Sequence, residues 1–192
     1  MPTRENGDAG GRPIFLTGFM ACGKTTLCRA VASRLDADSR YRFYDLDDEV
    51  ERAAGMSVGE IFRQRGEAAF RRMESAALRR LAGEPYAVIA CGGGTPCHDG
   101  NMELMNTLGT TVFLEASSER IVRRLLEAPR GQRPLADGYP DAESLRCFVV
   151  TRLSERMPYY SRCRYRFDTT ALDTPEEVER TSRSFIKQFL CV

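Results

Sequence analysis

Gly18-Phe19-Met20-Ala21-Cys22-Gly23-Lys24-Thr25 fits the phosphate-loop pattern G-x-x-x-x-G-K-[ST] without deviation. Before it, Pro13-Ile14-Phe15-Leu16-Thr17 reads as a short apolar strand; after it, Thr26 to Leu35 carries apolar side chains at helical spacing. A glycine turn that merely joins a strand to a helix also accounts for the spacing. Strand, glycine loop and helix in this order, however, are what an anion site requires. Gly18 and Gly23 let the backbone curl its N–H groups inward, and the helix N-terminus aims its positive dipole end at the same point. Ala21, Cys22, Gly23, Lys24, Thr25 and Thr26 are therefore expected to bind ATP. Lys24 can reach the β- and γ-phosphates and the Thr25 hydroxyl can ligate Mg²⁺.

Lysine usage supports this reading. Of 28 basic residues only Lys24 and Lys187 are lysines, and a compact ammonium suits a tight phosphate cradle better than a planar guanidinium does. Chance in an arginine-rich composition is the plainer alternative. The 192 residues suit one domain with a real core, here a single domain over 1–192. A net charge of +1 gives no global reason to expect nucleic acid or a membrane as partner. No apolar run approaches a membrane span. Residues 1–12 are polar and glycine-rich, without the apolar stretch of a secretion signal, and are expected to form a frayed tail. The seven cysteines are odd in number and include no C-x-x-C pair, and His98 is the only histidine. That spacing makes no zinc site and points to a reduced, cytoplasmic chain with small buried thiols.

Apolar runs and helical patterns alternate beyond the loop. Arg42-Phe43-Tyr44 leads into Asp45-Leu46-Asp47, a strand ending in acids. Ser57-Val58-Gly59-Glu60 is a capping box, and Gly66 to Leu81 a longer helix with Phe70, Met73, Ala77 and Leu81 on one face. Tyr86 to Cys91 is a buried strand ending at Gly92-Gly93-Gly94. A helix over 101–108, a strand over 110–114 and a helix capped at Ser117 or Ser118 follow. Residues 128–141 read as a mobile loop, 145–160 as a helix interrupted by Pro158, and 165–168 as a short strand. Thr174-Pro175-Glu176-Glu177 opens a final helix. Strands alternating with helices imply an α/β domain with a parallel sheet covered on both faces, and ligands in such sheets sit at the carboxyl ends of the strands.

Several residues in that crevice bear on the acceptor. Asp45 and Asp47, two apart in an extended segment, would share a face: one could hold Mg²⁺ through water, the other accept a hydrogen bond from an acceptor hydroxyl. An acidic helix start over Asp47-Asp48-Glu49 is equally consistent. Arg71 either pairs with Glu74 or anchors a ligand. Gly92-Gly93-Gly94 suggests backbone close to a ligand, or a flexible turn. Arg133 could swing over the phosphates from the mobile loop, or merely be exposed. Cys22, at a helix N-terminus, is either a thiol whose alkylation ATP would block or a small buried residue.

In this order, the set resembles shikimate kinase from about Ile14 to Phe189. The motifs are the phosphate loop, Asp45-x-Asp47, Phe70-Arg71-Arg72-x-Glu74, the glycine triplet, Arg133-Pro134-Leu135 and Arg156-x-Pro158-x-Tyr160. The resemblance implies a five-stranded parallel sheet flanked by helices, of the P-loop NTPase type, with a mobile lid near 128–141 and a helical substrate-binding region near 47–81. It implies transfer of the γ-phosphoryl group of ATP to the 3-hydroxyl of shikimate by a monomer. Asp47 would hydrogen-bond the acceptor hydroxyls. Arg71 and Arg156 would clamp the carboxylate, with Gly93 and Gly94 against the acceptor. Thr25, with Asp45 through water, would hold Mg²⁺, and Lys24 and Arg133 would stabilise the transferring group. Many members have glycine where this chain has Ala21, which implies a stiffer loop here. A gluconate-type kinase, a nucleoside monophosphate kinase and a nucleotide-binding regulatory module are the competing readings. The paired arginines, the glycine triplet, Arg133 and Asp47 weigh against them.

Overall fold

A computed structural model describes residues 11–35, 39–128, 138–139 and 141–190. Strand β1 (Ile14–Thr17) is buried along its whole length. It forms the middle of a five-stranded parallel sheet ordered β2-β3-β1-β4-β5. The others are β2 (Arg42–Asp45), β3 (Ala87–Ala90), β4 (Thr110–Glu115) and β5 (Tyr165–Asp168). Between them run α1 (Lys24–Ala32), α2 (Leu46–Ala54), α3 (Val58–Leu81), α4 (Asn101–Leu108), α5 (Ser118–Glu127) and α6 (Ala142–Tyr160), and α7 (Pro175–Phe189) closes the chain.

The two-residue period of the strands sorts the core into two halves. Ile14 and Leu16 of β1, Val88 and Ala90 of β3 and Val112 and Leu114 of β4 pack with α1, α5, α6 and α7. Phe15, Ala87 and Ile89 point the other way and pack with α2, α3 and α4. A parallel sheet covered on both faces needs apolar residues at both parities, which is why its strands read as continuous apolar runs. From β1 the chain goes out to β2 on one side and later crosses to β4 on the other, so a crevice opens at the carboxyl end of β1.

The expected capping boxes are present at Ser57 and Thr174. Gly66, at φ 76°, breaks α3 between the two helical patterns read in the sequence. Three expectations are corrected. Gly11, assigned to the frayed tail, is buried, and its carbonyl accepts from Tyr86 N–H at 2.6 Å. Asp47 is not in an extended segment: β2 ends at Asp45, whose carboxylate caps α2 by accepting from Asp47 N–H at 3.1 Å. The acids of the first turn then lie at the positive dipole end. Pro158 does not interrupt α6, which runs on to Tyr160. The lid assigned to 128–141 lies, from 129 to 137, outside the described residues.

Phe15 is fully buried in the central strand whereas Leu126 on α5 is 55% exposed. Phe15→Ala should cost about 3–5 kcal/mol in urea unfolding. Leu126→Ala should cost no more than about 0.5 kcal/mol. Equal costs would contradict the placement of the core.

Candidate active site

The loop after β1 begins with Gly18 at φ 147° and ends with Gly23 at φ 106°, conformations open to glycine and strained for other residues. Gly23 is the N-cap of α1, and Lys24 and Thr25 form its first turn. Ala21 also adopts positive φ, 59°, which costs an L-residue about 1–2 kcal/mol. The Lys24 ammonium donates to the Gly18 carbonyl at 2.7 Å and the Phe19 carbonyl at 2.9 Å. A bound phosphate would draw it from these carbonyls. Cys22 is buried, its sulfur 3.6 Å from Lys24 Nζ.

From this loop a cleft of about 370 Å³ runs past Asp45 and Asp47 to Gly92 and Gly93. Thr25 Oγ1 donates to Asp45 Oδ2 at 3.3 Å, so a hydroxyl and a carboxylate stand together beside the phosphate position. That donor pair fits Mg²⁺, which takes hard oxygen ligands, few of them from protein when phosphates supply the rest. Burial pushes the Asp45 carboxyl up, opposed by the Asp47 N–H and the Thr25 hydroxyl. Asp47 is pushed up to about 6, mainly by burial and then by the charges of Asp45 and Glu74, with Lys24 opposing. A carboxylate so poised near neutral pH can accept a proton or a hydrogen bond from a hydroxyl.

The glycine triplet explains how the remaining residues meet this cleft. A β-carbon on Gly92 would lie 2.8 Å from Glu74 Oε1 and 3.3 Å from Asp47 Oδ1. One on Gly93 would lie 3.0 Å from Arg156 Nη1 and 3.3 Å from the Gly18 carbonyl oxygen. One on Gly94 would lie 2.8 Å from Arg71 Nη2. Each glycine thus gives its side-chain space to a different polar group, and Gly93 also touches the phosphate loop. The carbonyls of the segment are occupied: Gly92 by Thr95 N–H at 3.1 Å, Gly93 by the Tyr160 hydroxyl at 2.6 Å, Gly94 by Cys97 N–H at 2.9 Å. The N–H groups of Gly93 and Gly94 meet no acceptor among the described residues. Gly94 is itself buried, so its N–H requires an acceptor beyond the described residues.

Arg71 pairs with Glu74, one of the two readings the sequence allowed. It donates to Glu74 at 2.8 Å and to Glu67 at 3.1 Å, and this grip holds its guanidinium against Gly94. Arg156 projects from α6 over the Phe19 ring, 5.3 Å from its centroid. The structure therefore brings Lys24, Thr25, Asp45, Asp47, Arg71, Gly93, Gly94 and Arg156 to one end of the sheet. Arg133 lies outside the described residues. The sequence reading passed over Thr95, whose hydroxyl donates to buried Glu74 at 2.6 Å. It also passed over Arg124, which donates to the Ala21, Thr169 and Thr170 carbonyls and to Asp173 at the cleft wall. Backbone carbonyls leave no trace in a sequence, so nothing local marked Arg124.

Known proteins resemble this chain across the same span. A sequence profile for shikimate kinase matches residues 20–187. A shikimate kinase of Bacteroides thetaiotaomicron is 42% identical over 166 residues, covering 86% of this chain and 91% of the relative. One of Thermus thermophilus is 38% identical, covering 86% of this chain and 85% of the relative. The crystal structure of shikimate kinase from Bacteroides thetaiotaomicron superposes with a TM-score of 0.83 at 38% identity, covering 92% of this chain and 97% of that one. The Acinetobacter baumannii enzyme in complex with shikimate superposes with a TM-score of 0.76 at 27% identity, covering 93% of each. With a family profile over most of its length and relatives about 40% identical, the chain belongs to the shikimate kinase family.

Proposed function

We propose that this chain transfers the γ-phosphoryl group of MgATP to the 3-hydroxyl of shikimate, giving shikimate 3-phosphate and ADP on the way to chorismate and the aromatic amino acids. The observation that carries the reading is the glycine triplet, which sets Asp47, Arg156 and Arg71 in contact with one backbone segment that also touches the phosphate loop. An acceptor with hydroxyls at one end and a carboxylate at the other suits a carboxylate facing two guanidiniums.

The loop from Ala21 to Thr26 and the Lys24 ammonium hold the phosphates. Arg71 and Arg156 take the carboxylate of shikimate, where planar guanidiniums pair best, and the Gly93 and Gly94 N–H groups take acceptor oxygens. Asp47 orients the 3-hydroxyl and accepts its proton as the oxygen bonds to the γ-phosphorus and the bond to ADP breaks. Thr25, and Asp45 through water, would hold Mg²⁺, which neutralises charge on the phosphates. Arg133 is assigned a charge-neutralising role by resemblance alone. Six unpaired thiols among the described cysteines suit a reducing cytoplasm, and one domain carries the whole assigned site, as a monomer requires.

The direct test is ADP release from MgATP with shikimate, gluconate, AMP or no acceptor. Only shikimate should support turnover; release with another acceptor would keep the kinase and reject the acceptor.

Asp47→Asn should lower turnover by about 10²–10⁴-fold, and the wild-type rate should fall as pH drops through about 6, where Asp47 takes up its proton. Stability should move the other way. A carboxyl pushed up from 3.8 to about 6 on folding binds its proton more tightly when folded, so stability falls as pH rises across that window. Above it the buried charge is a standing cost. Asp47→Asn should therefore stabilise the ligand-free protein near pH 8 by roughly 1–3 kcal/mol, with the gain shrinking towards pH 4. A variant destabilised at high pH would contradict the burial of this charge.

Cys22 is buried and Cys147 exposed. One equivalent of a bulky maleimide should modify Cys147, as mapped by mass spectrometry, and leave turnover intact. ATP-protected inactivation mapped to Cys22 would contradict this.

A further inference from the structure

Tyr160, the last residue of α6, is fully buried, yet none of the chemistry above uses its hydroxyl. A buried tyrosine needs apolar neighbours for its ring and a partner for its oxygen. The ring stacks on Phe113 of β4, centroids 4.9 Å apart and planes 15° apart. The hydroxyl donates to the Gly93 carbonyl at 2.6 Å. Burial pushes its ionisation well above the usual tyrosine range, so it remains a donor at any working pH.

The other bonds of the glycine segment show why this one matters. Thr95 N–H to Gly92 and Cys97 N–H to Gly94 close turns inside the segment and move with it. Asn101 Nδ2 holds the Thr95 carbonyl at 3.0 Å, beyond the glycines. Among the described residues, the Tyr160 hydroxyl is thus the bond that ties the Gly93–Gly94 peptide to a remote part of the fold. A peptide unit is planar, with C=O and N–H pointing opposite ways, so holding the Gly93 carbonyl also sets the direction of the Gly94 N–H. Between two glycines little else resists rotation. The same helix carries Arg156 one turn earlier, beside the phenol and against Gly93.

We propose that Tyr160 is a positioning residue for the acceptor site: its hydroxyl fixes the Gly93–Gly94 peptide so that the Gly94 N–H faces the acceptor and Arg156 keeps its place over Gly93. The proposal rests on the reading of Gly93 and Gly94 as acceptor contacts.

Tyr160→Phe removes the hydroxyl and keeps the ring on Phe113. It should raise KM for shikimate about tenfold, because the freed peptide must be ordered each time the acceptor binds, and change KM for MgATP by less than about twofold. Phe185→Leu, in the α7 core away from the cleft, serves as the control for general loss of stability: it should lower the melting temperature and leave both KM values in place. In the ligand-free protein, Tyr160→Phe should also speed amide hydrogen exchange at Thr95 and Cys97, whose N–H groups are bonded to the Gly92 and Gly94 carbonyls, while β3 keeps its protection. That readout needs no acceptor, so it judges the tether even if wild type ignores shikimate, a result that would strike the activity reading instead. Unchanged exchange at Thr95 and Cys97, an unchanged KM for shikimate, or a parallel rise in both KM values would each overturn the proposal.

Discussion

Three α-carbons without side chains carry the contact between the two halves of the site. The phosphate loop is built by β1 and α1, and the acceptor groups come from α2, α3 and α6. These elements are brought together only where the backbone after β3 lets side chains approach within about van der Waals distance of a bare α-carbon. Gly92 makes room for Glu74 and Asp47, Gly93 for Arg156 and Gly94 for Arg71, while Gly93 also abuts the Gly18 carbonyl. A β-carbon at any of these points would push aside the far end of a charged side chain. A segment with so little intrinsic stiffness must be held from outside, and the Tyr160 hydroxyl on the Gly93 carbonyl does so.

Electrostatics follow from the same packing. Asp45, Asp47 and Glu74 are drawn close together away from water, and burial with mutual repulsion raises Asp47 to about 6. The cations that offset them are arranged by role. Lys24 lines the cleft beside the phosphate loop, whereas Arg71 and Arg156 stand against Gly94 and Gly93. A carboxylate kept near its titration point, with no guanidinium bonded directly to it among the described residues, remains able to take a proton. The same desolvation is a stability cost that the rest of the fold carries.

Local features were legible in the sequence and long-range ones were not. The phosphate loop, the capping boxes at Ser57 and Thr174 and the apolar strands declare themselves because their physics lies within a few residues. The Asp45-x-Asp47 pair stayed open between an extended segment and an acidic helix start because the two look alike in one dimension; the helix begins one residue after Asp45. Arg71 stayed ambiguous because its pairing with Glu74 is local and its approach to Gly94 is not. The triplet could be seen to be unusual, but what each glycine accommodates depends on α2, α3 and α6. Arg124 and the Tyr160 hydroxyl bond backbone carbonyls, a kind of contact that no residue pattern encodes.

The most direct test of this account is a double-mutant cycle on shikimate affinity, measured by calorimetry with Gly94→Ala, Arg71→Ala and the pair. If Gly94 serves to seat Arg71, Gly94→Ala should weaken binding about tenfold in the wild-type background and by less than about twofold once Arg71 is alanine. The same loss in both backgrounds would mean that the glycine acts independently of the arginine, and would contradict the claim that the bare backbone is what assembles the site.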